Sequence, residues 1–156
     1  MKKIFTLLFV FLLCAGNSWA QVNIYSFVSS AGSFTAISGG TVLSTGTFDD
    51  NVYNAINIGF TFTYNAVGYT QFSVNDNGWL CMGATAVSSY TPISTGASNN
   101  VISALGRDIQ GNTTGELRYQ VLGTSPNQTL VVQWLHMKKY GTTGTGDDWS
   151  FQIISR

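Results

Sequence analysis

The stretch Ile56-Asn57-Ile58-Gly59-Phe60-Thr61-Phe62-Thr63-Tyr64 alternates without a break between large apolar residues and small or polar ones. Successive side chains of a β-strand point to opposite faces, so this pattern predicts a strand with one buried and one wet face. Asn65-Ala66-Val67-Gly68 reads as the following turn, and Tyr69 to Asn75 as the returning strand. Asn75-Asp76-Asn77-Gly78 carries an Asn-Gly pair, which readily takes the positive φ angles of a tight type I′ hairpin turn. Trp79 to Met82 then pairs back.

The same grammar runs through the rest of the chain. Residues 83–100 form a long polar loop, after which Val101 to Leu105 resumes an apolar run. Arg107-Asp108 and Gly111-Asn112 lead out to a loop before Glu116 to Leu122 alternates again. Ser125-Pro126-Asn127-Gln128 is a turn, Thr129 to Trp134 a β-branched run, and Trp149, Phe151 and Ile153 alternate near the end. Upstream, Tyr25 to Phe27 and Phe34 to Ile37 look like strands, with a turn at Ser38 to Thr41 before Val42-Leu43. No stretch shows a helical period with caps. The expected fold is all-β, an antiparallel β-sandwich of jelly-roll-like form. Arg156 directly follows an alternating strand, so the sandwich is expected to be incomplete at its C-terminus and the chain a piece of a longer protein.

Charge narrows the function classes. Only 9% of the residues are charged, with 7 basic and 7 acidic side chains in 156 residues. Ordinary soluble domains carry about 25%. Aromatics reach 13%, which excludes charge-driven disorder. Without a basic excess to displace counterions from phosphates, nucleic acid is not an expected partner.

The first twenty residues have a different purpose. Lys2 and Lys3 precede a run of apolar residues from Ile4 to Gly16, and Ser18-Trp19-Ala20 supplies the small residues of a cleavage site. This is the three-part pattern of a secretory signal peptide, 1–20, cut after Ala20. The run is too short to span a bilayer. Leu13 before Cys14 argues against lipid attachment. The mature domain, 21–156, is therefore expected to be secreted or held at the cell surface, with no membrane span once the signal is removed. Loss of Lys2 and Lys3 leaves 5 basic and 7 acidic residues, a net charge of −2. Loss of Cys14 leaves Cys81 alone, so no internal disulfide can form. Within Trp79-Leu80-Cys81-Met82 that thiol reads as a small buried hydrophobe.

Few residues carry the marks of chemistry. His136 is the one histidine, and a triad would need it beside Cys81 or Ser150, backed by Asp147 or Asp148. No Gly-x-Ser-x-Gly elbow or paired His or Cys metal spacing is present, so a surface or strand-end histidine is expected. Glu116, two residues from Arg118 on an alternating strand, suits an ion pair better than an acid catalyst. The acids gather at loops: Asp49-Asp50, Asp76, Arg107-Asp108 and Asp147-Asp148. Calcium wants carboxylate and carbonyl oxygens from such loops, and Asp49 and Asp50 are the ligands expected if it binds. No other cofactor is expected. Flat aromatic rings stack on sugars, and Trp79, Trp134, Trp149, Tyr90 and Tyr140 are candidates. Aromatics on alternating strands belong to cores. Tyr90 and Tyr140 lie outside the cleanest strands and are the expected carbohydrate-binding residues.

The succession Asn57-Ile58-Gly59-Phe60-Thr61-Phe62-Thr63-Tyr64-Asn65, Gly68-Tyr69-Thr70-Gln71-Phe72-Ser73-Val74-Asn75 and Asn77-Gly78-Trp79-Leu80 resembles a known module. It continues through Asn100 to Asp108, Gly115-Glu116-Leu117-Arg118-Tyr119 and Val131-Val132-Gln133-Trp134. The resemblance is to the N-terminal β-sandwich of bacterial surface proteins exported by type IX secretion, which often carry fibronectin type III repeats and a C-terminal sorting domain. It covers most of residues 25–156. A looser likeness is to the nidogen-type extracellular domain. Both imply a fold and a setting, since the matching motifs are strands and turns.

The expected role is a non-catalytic exported module for adhesion, carbohydrate recognition or structural presentation, with a glycan or a surface protein as partner. The alternative from another class is the accessory region of a secreted hydrolase whose catalytic domain lies downstream.

Overall fold

The computed structural model describes residues 25–84, 99–143 and 146–156. The expected signal peptide and Tyr90 lie outside these residues. The chain divides into two compact units, Met1–Ala31 and Gly32–Arg156. Residues 25–31 of the first are in neither helix nor strand, and all eight strands belong to the second. Among the described residues there is no helix, hence none long and apolar enough to cross a membrane.

The strands are β1 (Thr41–Thr45), β2 (Val52–Tyr64), β3 (Val67–Asn75), β4 (Trp79–Met82), β5 (Val101–Ser103), β6 (Ile109–Leu122), β7 (Thr129–Lys139) and β8 (Trp149–Ser155). They form two four-stranded antiparallel sheets, ordered β1-β6-β7-β8 and β2-β3-β4-β5. The fold is an all-β sandwich. Consecutive strands are neighbours within each sheet, so the winding is two meanders instead of the paired Greek keys of a jelly roll. Only β1 stands apart in sequence, crossing to pair with β6.

β2 behaves as its alternation requires. Ile58 is buried and Ile56, Phe60, Phe62 and Tyr64 pack against the core, while Asn57, Gly59, Thr61 and Thr63 are exposed. The core between the sheets joins Phe72, Val74, Leu80 and Met82 to Ile109, Leu117, Leu130, Val132, Trp134 and Met137. Trp79 and Cys81 are fully buried in a separate cluster, packed with Val52 and Val101. Neither tryptophan, 79 or 134, presents a ring to solvent, in keeping with their alternating strand positions.

The turns differ in detail from the sequence reading. Tyr64 pairs with Val67, so the first hairpin closes through Asn65 and Ala66 alone, both at positive φ, 51° and 60°. That is the two-residue type I′ geometry expected of the next hairpin. The next hairpin instead encloses Asp76, Asn77 and Gly78 between paired Asn75 and Trp79, with Gly78 at φ 81°. One extra residue turns a type I′ into a three-residue loop closed by a left-handed glycine. β6 starts at Ile109, earlier than its alternation suggests, because the register skips between Gly111 and Glu116 and a bulge hides the pattern.

Phe34 to Ile37 does not form a strand. Side chains partner its backbone at Thr35 and Ile37: Ile37 N–H donates to Gln133 Oε1 at 2.8 Å, Gln133 Nε2 donates to Ile37 O at 3.1 Å, and Gln152 Nε2 donates to Thr35 O at 2.9 Å. A glutamine amide offers the same donor and acceptor as a peptide group, so it replaces a ladder partner.

Candidate functional site

Three connections meet at one end of the sandwich. The β1–β2 connection leaves one sheet and enters the other. Gly46 N–H donates to Gly115 O at 2.8 Å and Gly111 N–H to Phe48 O at 2.9 Å, which pins residues 46–48 along β6. At the far side Asp76 N–H donates to Asn51 O at 3.1 Å, and Asn51 N–H to Asp76 Oδ2 at 2.9 Å. Asp49 and Asp50 are therefore strung between two fixed ends. The β5–β6 connection delivers Asp108 just before buried Ile109, and the β3–β4 turn delivers Asp76 and Asn77.

A carboxylate oxygen from each of Asp49, Asp50 and Asp108 lies within 4.8 Å of the others. Asp49 and Asp108 are half-buried and Asp50 is exposed. Beneath them the Asn75-Asp76-Asn77 turn has no exposed surface at all. Such burial of three polar residues demands partners. Asn77 N–H donates to Asn75 Oδ1 at 2.7 Å, Asn77 Nδ2 donates to Asp50 Oδ1 at 2.9 Å, and Ile109 N–H donates to Asn77 Oδ1 at 2.8 Å. Trp134 Nε1 donates to Asn75 O at 3.3 Å from the opposite sheet. Three atoms find no hydrogen-bond partner among the described residues: Asp49 Oδ1, Asp76 Oδ1 and Asn75 Nδ2.

The electrostatics follow from this crowding. Burial, opposed by the hydrogen bond from Asn51 and reinforced by Asp49 and Asp50, pushes the Asp76 carboxyl up to about 6. Burial first, then repulsion from Asp50 and Asp108, raises Asp49 above its ordinary value. Asp108 is raised by burial and by Asp50.

Of the residues expected from sequence, Asp49 and Asp50 sit together in this cluster. Tyr140, just past β7, is 51% exposed, and its N–H donates to Asp108 O at 3.1 Å. The structure thus brings the expected metal ligands and one expected sugar-binding residue to the same end of the fold. Asp108, Asp76 and Asn77 complete the site and were not singled out. Asp108 followed an apolar run like a loop acid, and Asn-Asp-Asn-Gly looked like an ordinary turn.

The other chemical candidates are placed elsewhere. Cys81 is fully buried, and burial raises its thiol above the ordinary value. His136 is the expected surface histidine, its side chain 44% exposed, and it is not in a triad with Ser150. It is a bulged residue inside β7 at φ 52°, where its backbone N–H donates to Ser150 Oγ at 3.1 Å and its ring Nδ1 meets Asp148 Oδ1 at 2.9 Å. The serine hydroxyl is occupied by the backbone amide and not by the ring. Arg118 and Glu116 form the expected ion pair, and Arg118 Nη1 also donates to Gly39 O at 3.0 Å.

A model of the NIDO-related family matches residues 24–154. The chain belongs to that family. The match takes in β1 to β7 and all but the last residue of β8, so family and fold describe the same unit, and the nidogen-like likeness of the sequence is carried by the whole domain. Membership points to an extracellular module. No curated protein and no solved structure gives a significant match.

Proposed function

We propose that this NIDO-related domain is a non-catalytic exported module of the bacterial cell surface that adheres by recognising a neutral glycan at the end of the sandwich bearing Tyr140. The observation that carries the reading is the placement of Tyr140. An aromatic residue left half exposed on a fixed backbone offers a platform for a pyranose ring at little entropic cost, whereas Trp79 and Trp134 are buried. The N–H bond from Tyr140 to Asp108 O fixes where that platform starts. A surface made mainly of Thr, Ser, Asn and Gly, with 9% charged residues overall, suits an uncharged partner. Residues 1–20 direct export, and type IX secretion is the route the likeness of the strand motifs supports.

The test is a glycan array with the purified chain beside Tyr140→Ala. The expected result is binding to a restricted set of neutral glycans, reduced at least about tenfold in the variant, as loss of a stacking aromatic requires. Absence of binding across the array, or equal binding by the variant, overturns the reading. For the export step, an N-terminus at Gln21 on the secreted protein is expected, and retention of Met1 on it is the contrary result.

A further inference from the structure

We propose that Asp49, Asp50, Asp76 and Asp108 form a calcium site that ties together the three connections at this end of the sandwich. The first support is geometric. Calcium binds oxygens at about 2.3–2.6 Å, so two ligands on opposite sides of one ion stand roughly 5 Å apart at most. The oxygens of Asp49, Asp50 and Asp108 lie within 4.8 Å of one another, a spacing one ion can bridge.

The second support is independent of that cluster. Asp76 has no exposed surface, and its Oδ1 accepts no hydrogen bond from the described residues. Its Oδ2 accepts the N–H of Asn51, the residue that follows Asp49 and Asp50, and repulsion from those two carboxylates reaches it. The neighbouring Asn77 holds Asp50 through Oδ1. Asp49 Oδ1 is likewise buried and unpartnered. Native structures rarely leave carboxylate oxygens buried and unsatisfied, and among the described residues no hydrogen bond accounts for these two. Cationic side chains do not account for them either. Among the described residues, no ion pair reaches Asp49, Asp76 or Asp108.

The donor set selects the ion. Carboxylate oxygens from three separate connections make an irregular, all-oxygen site. Calcium accepts such irregularity with six to eight ligands, whereas magnesium demands a near-ideal octahedron and keeps its waters. Thiol and imidazole do not contribute, since Cys81 belongs to another cluster and His136 pairs with Asp148. Soft and borderline metals are therefore disfavoured. The site does not depend on glycan recognition, because it is assayed with the metal alone.

The experiment uses the purified chain, stripped with EDTA and dialysed, then titrated with CaCl2 by calorimetry and followed by thermal unfolding. One equivalent is expected to bind, with Tm rising by roughly 5–10 °C at a hundredfold excess over Kd. Asp108→Asn and Asp76→Asn should each weaken binding at least about tenfold, and Asp147→Asn should leave it unchanged. Asp76→Asn keeps an acceptor for Asn51 N–H; if it fails to fold, half-buried Asp108→Asn decides the matter. Absence of both binding heat and a Tm rise at millimolar calcium in the folded wild-type chain overturns the proposal. So does an undiminished response in Asp108→Asn, and MgCl2 binding as tightly as CaCl2 overturns the choice of ion.

Discussion

The backbone N–H of Ile109 donates to the side-chain oxygen of Asn77 at 2.8 Å, joining the first residue of β6 to the β3–β4 turn of the opposite sheet. Both residues are fully buried. Because Asn77 Nδ2 also donates to Asp50, one side chain connects both sheets and the acidic segment. The sandwich is thus held at this end by a polar clasp, while its middle is held by apolar contact.

Replacement of Asn77 measures that clasp. Asn77→Ala leaves the Ile109 N–H buried with no acceptor and frees Asp50 from one donor. Leaving a buried donor unsatisfied costs about 1–3 kcal/mol, in addition to the bond itself. The expected loss is roughly 2–4 kcal/mol by urea unfolding. A loss below about 0.5 kcal/mol, the range of ordinary surface substitutions, would show that the clasp is dispensable.

Asp76 makes the metal-free domain respond to pH in an unusual direction. Its carboxyl moves from 3.8 to about 6 on folding, so the folded chain holds a proton that the unfolded chain has released. The stability this contributes is fully present below 3.8 and is lost as the pH rises through about 6. One pKa unit is worth 1.36 kcal/mol, which makes the loss roughly 3 kcal/mol. Asp49 and Asp108 are raised as well and act in the same sense. In EDTA, the chain is expected to unfold at a higher temperature at pH 5 than at pH 7.5, and Asp76→Asn should flatten most of that difference. A wild-type chain more stable at pH 7.5 would contradict the burial of a charged Asp76.

Much of this fold was legible in the sequence, and the missing parts share a cause. The alternation from Ile56 to Tyr64 declared a strand and its buried face, since period two is a property of the local chain. Asn-Gly and Asn-Ala announced turns for the same local reason. Burial of a turn is not local. Asn75, Asp76 and Asn77 have the composition of a solvated hairpin, and only the return of β6 against them excludes water. Asp108 joins Asp49 because β1 pairs with β6, a contact between residues about seventy positions apart along the chain. His136 reaches the surface as expected, but from inside β7, because a bulge there interrupts the alternation that would have located it. Phe34 to Ile37 has strand composition, yet Gln133 and Gln152 take the place of a strand partner.

That substitution can be tested at Gln133. The side chain is fully buried and both of its polar atoms serve Ile37, with Gln152 Nε2 donating to its Oε1 at 2.8 Å. Gln133→Leu fills a similar volume but leaves the Ile37 peptide groups without protein partners. The Ile37 amide is expected to exchange with solvent at least about tenfold faster, and unfolding should cost about 1–3 kcal/mol less. Unchanged exchange at Ile37 would show that some other contact holds residues 35–37.

Gly111 sets how closely the acidic connection can approach β6. Its N–H donates to Phe48 O at 2.9 Å, and a Cβ at this position would collide with the Gly46 carbonyl and come within 2.9 Å of the Phe48 ring. Backbone cannot yield as a flexible side chain does, so Gly111→Ala must push residues 46–48 away from the strand. Overpacking of this kind costs about 1–3 kcal/mol. The displacement also carries Asp49 away from Asp108, whose position is fixed separately by the N–H of Tyr140. The variant is therefore expected to lose stability in EDTA and to bind calcium more weakly than the wild-type chain, although no carboxylate has been removed. A thermal scan with and without CaCl2 separates the two effects. Wild-type stability in Gly111→Ala would mean that the close approach of Phe48 to β6 is not required by the fold.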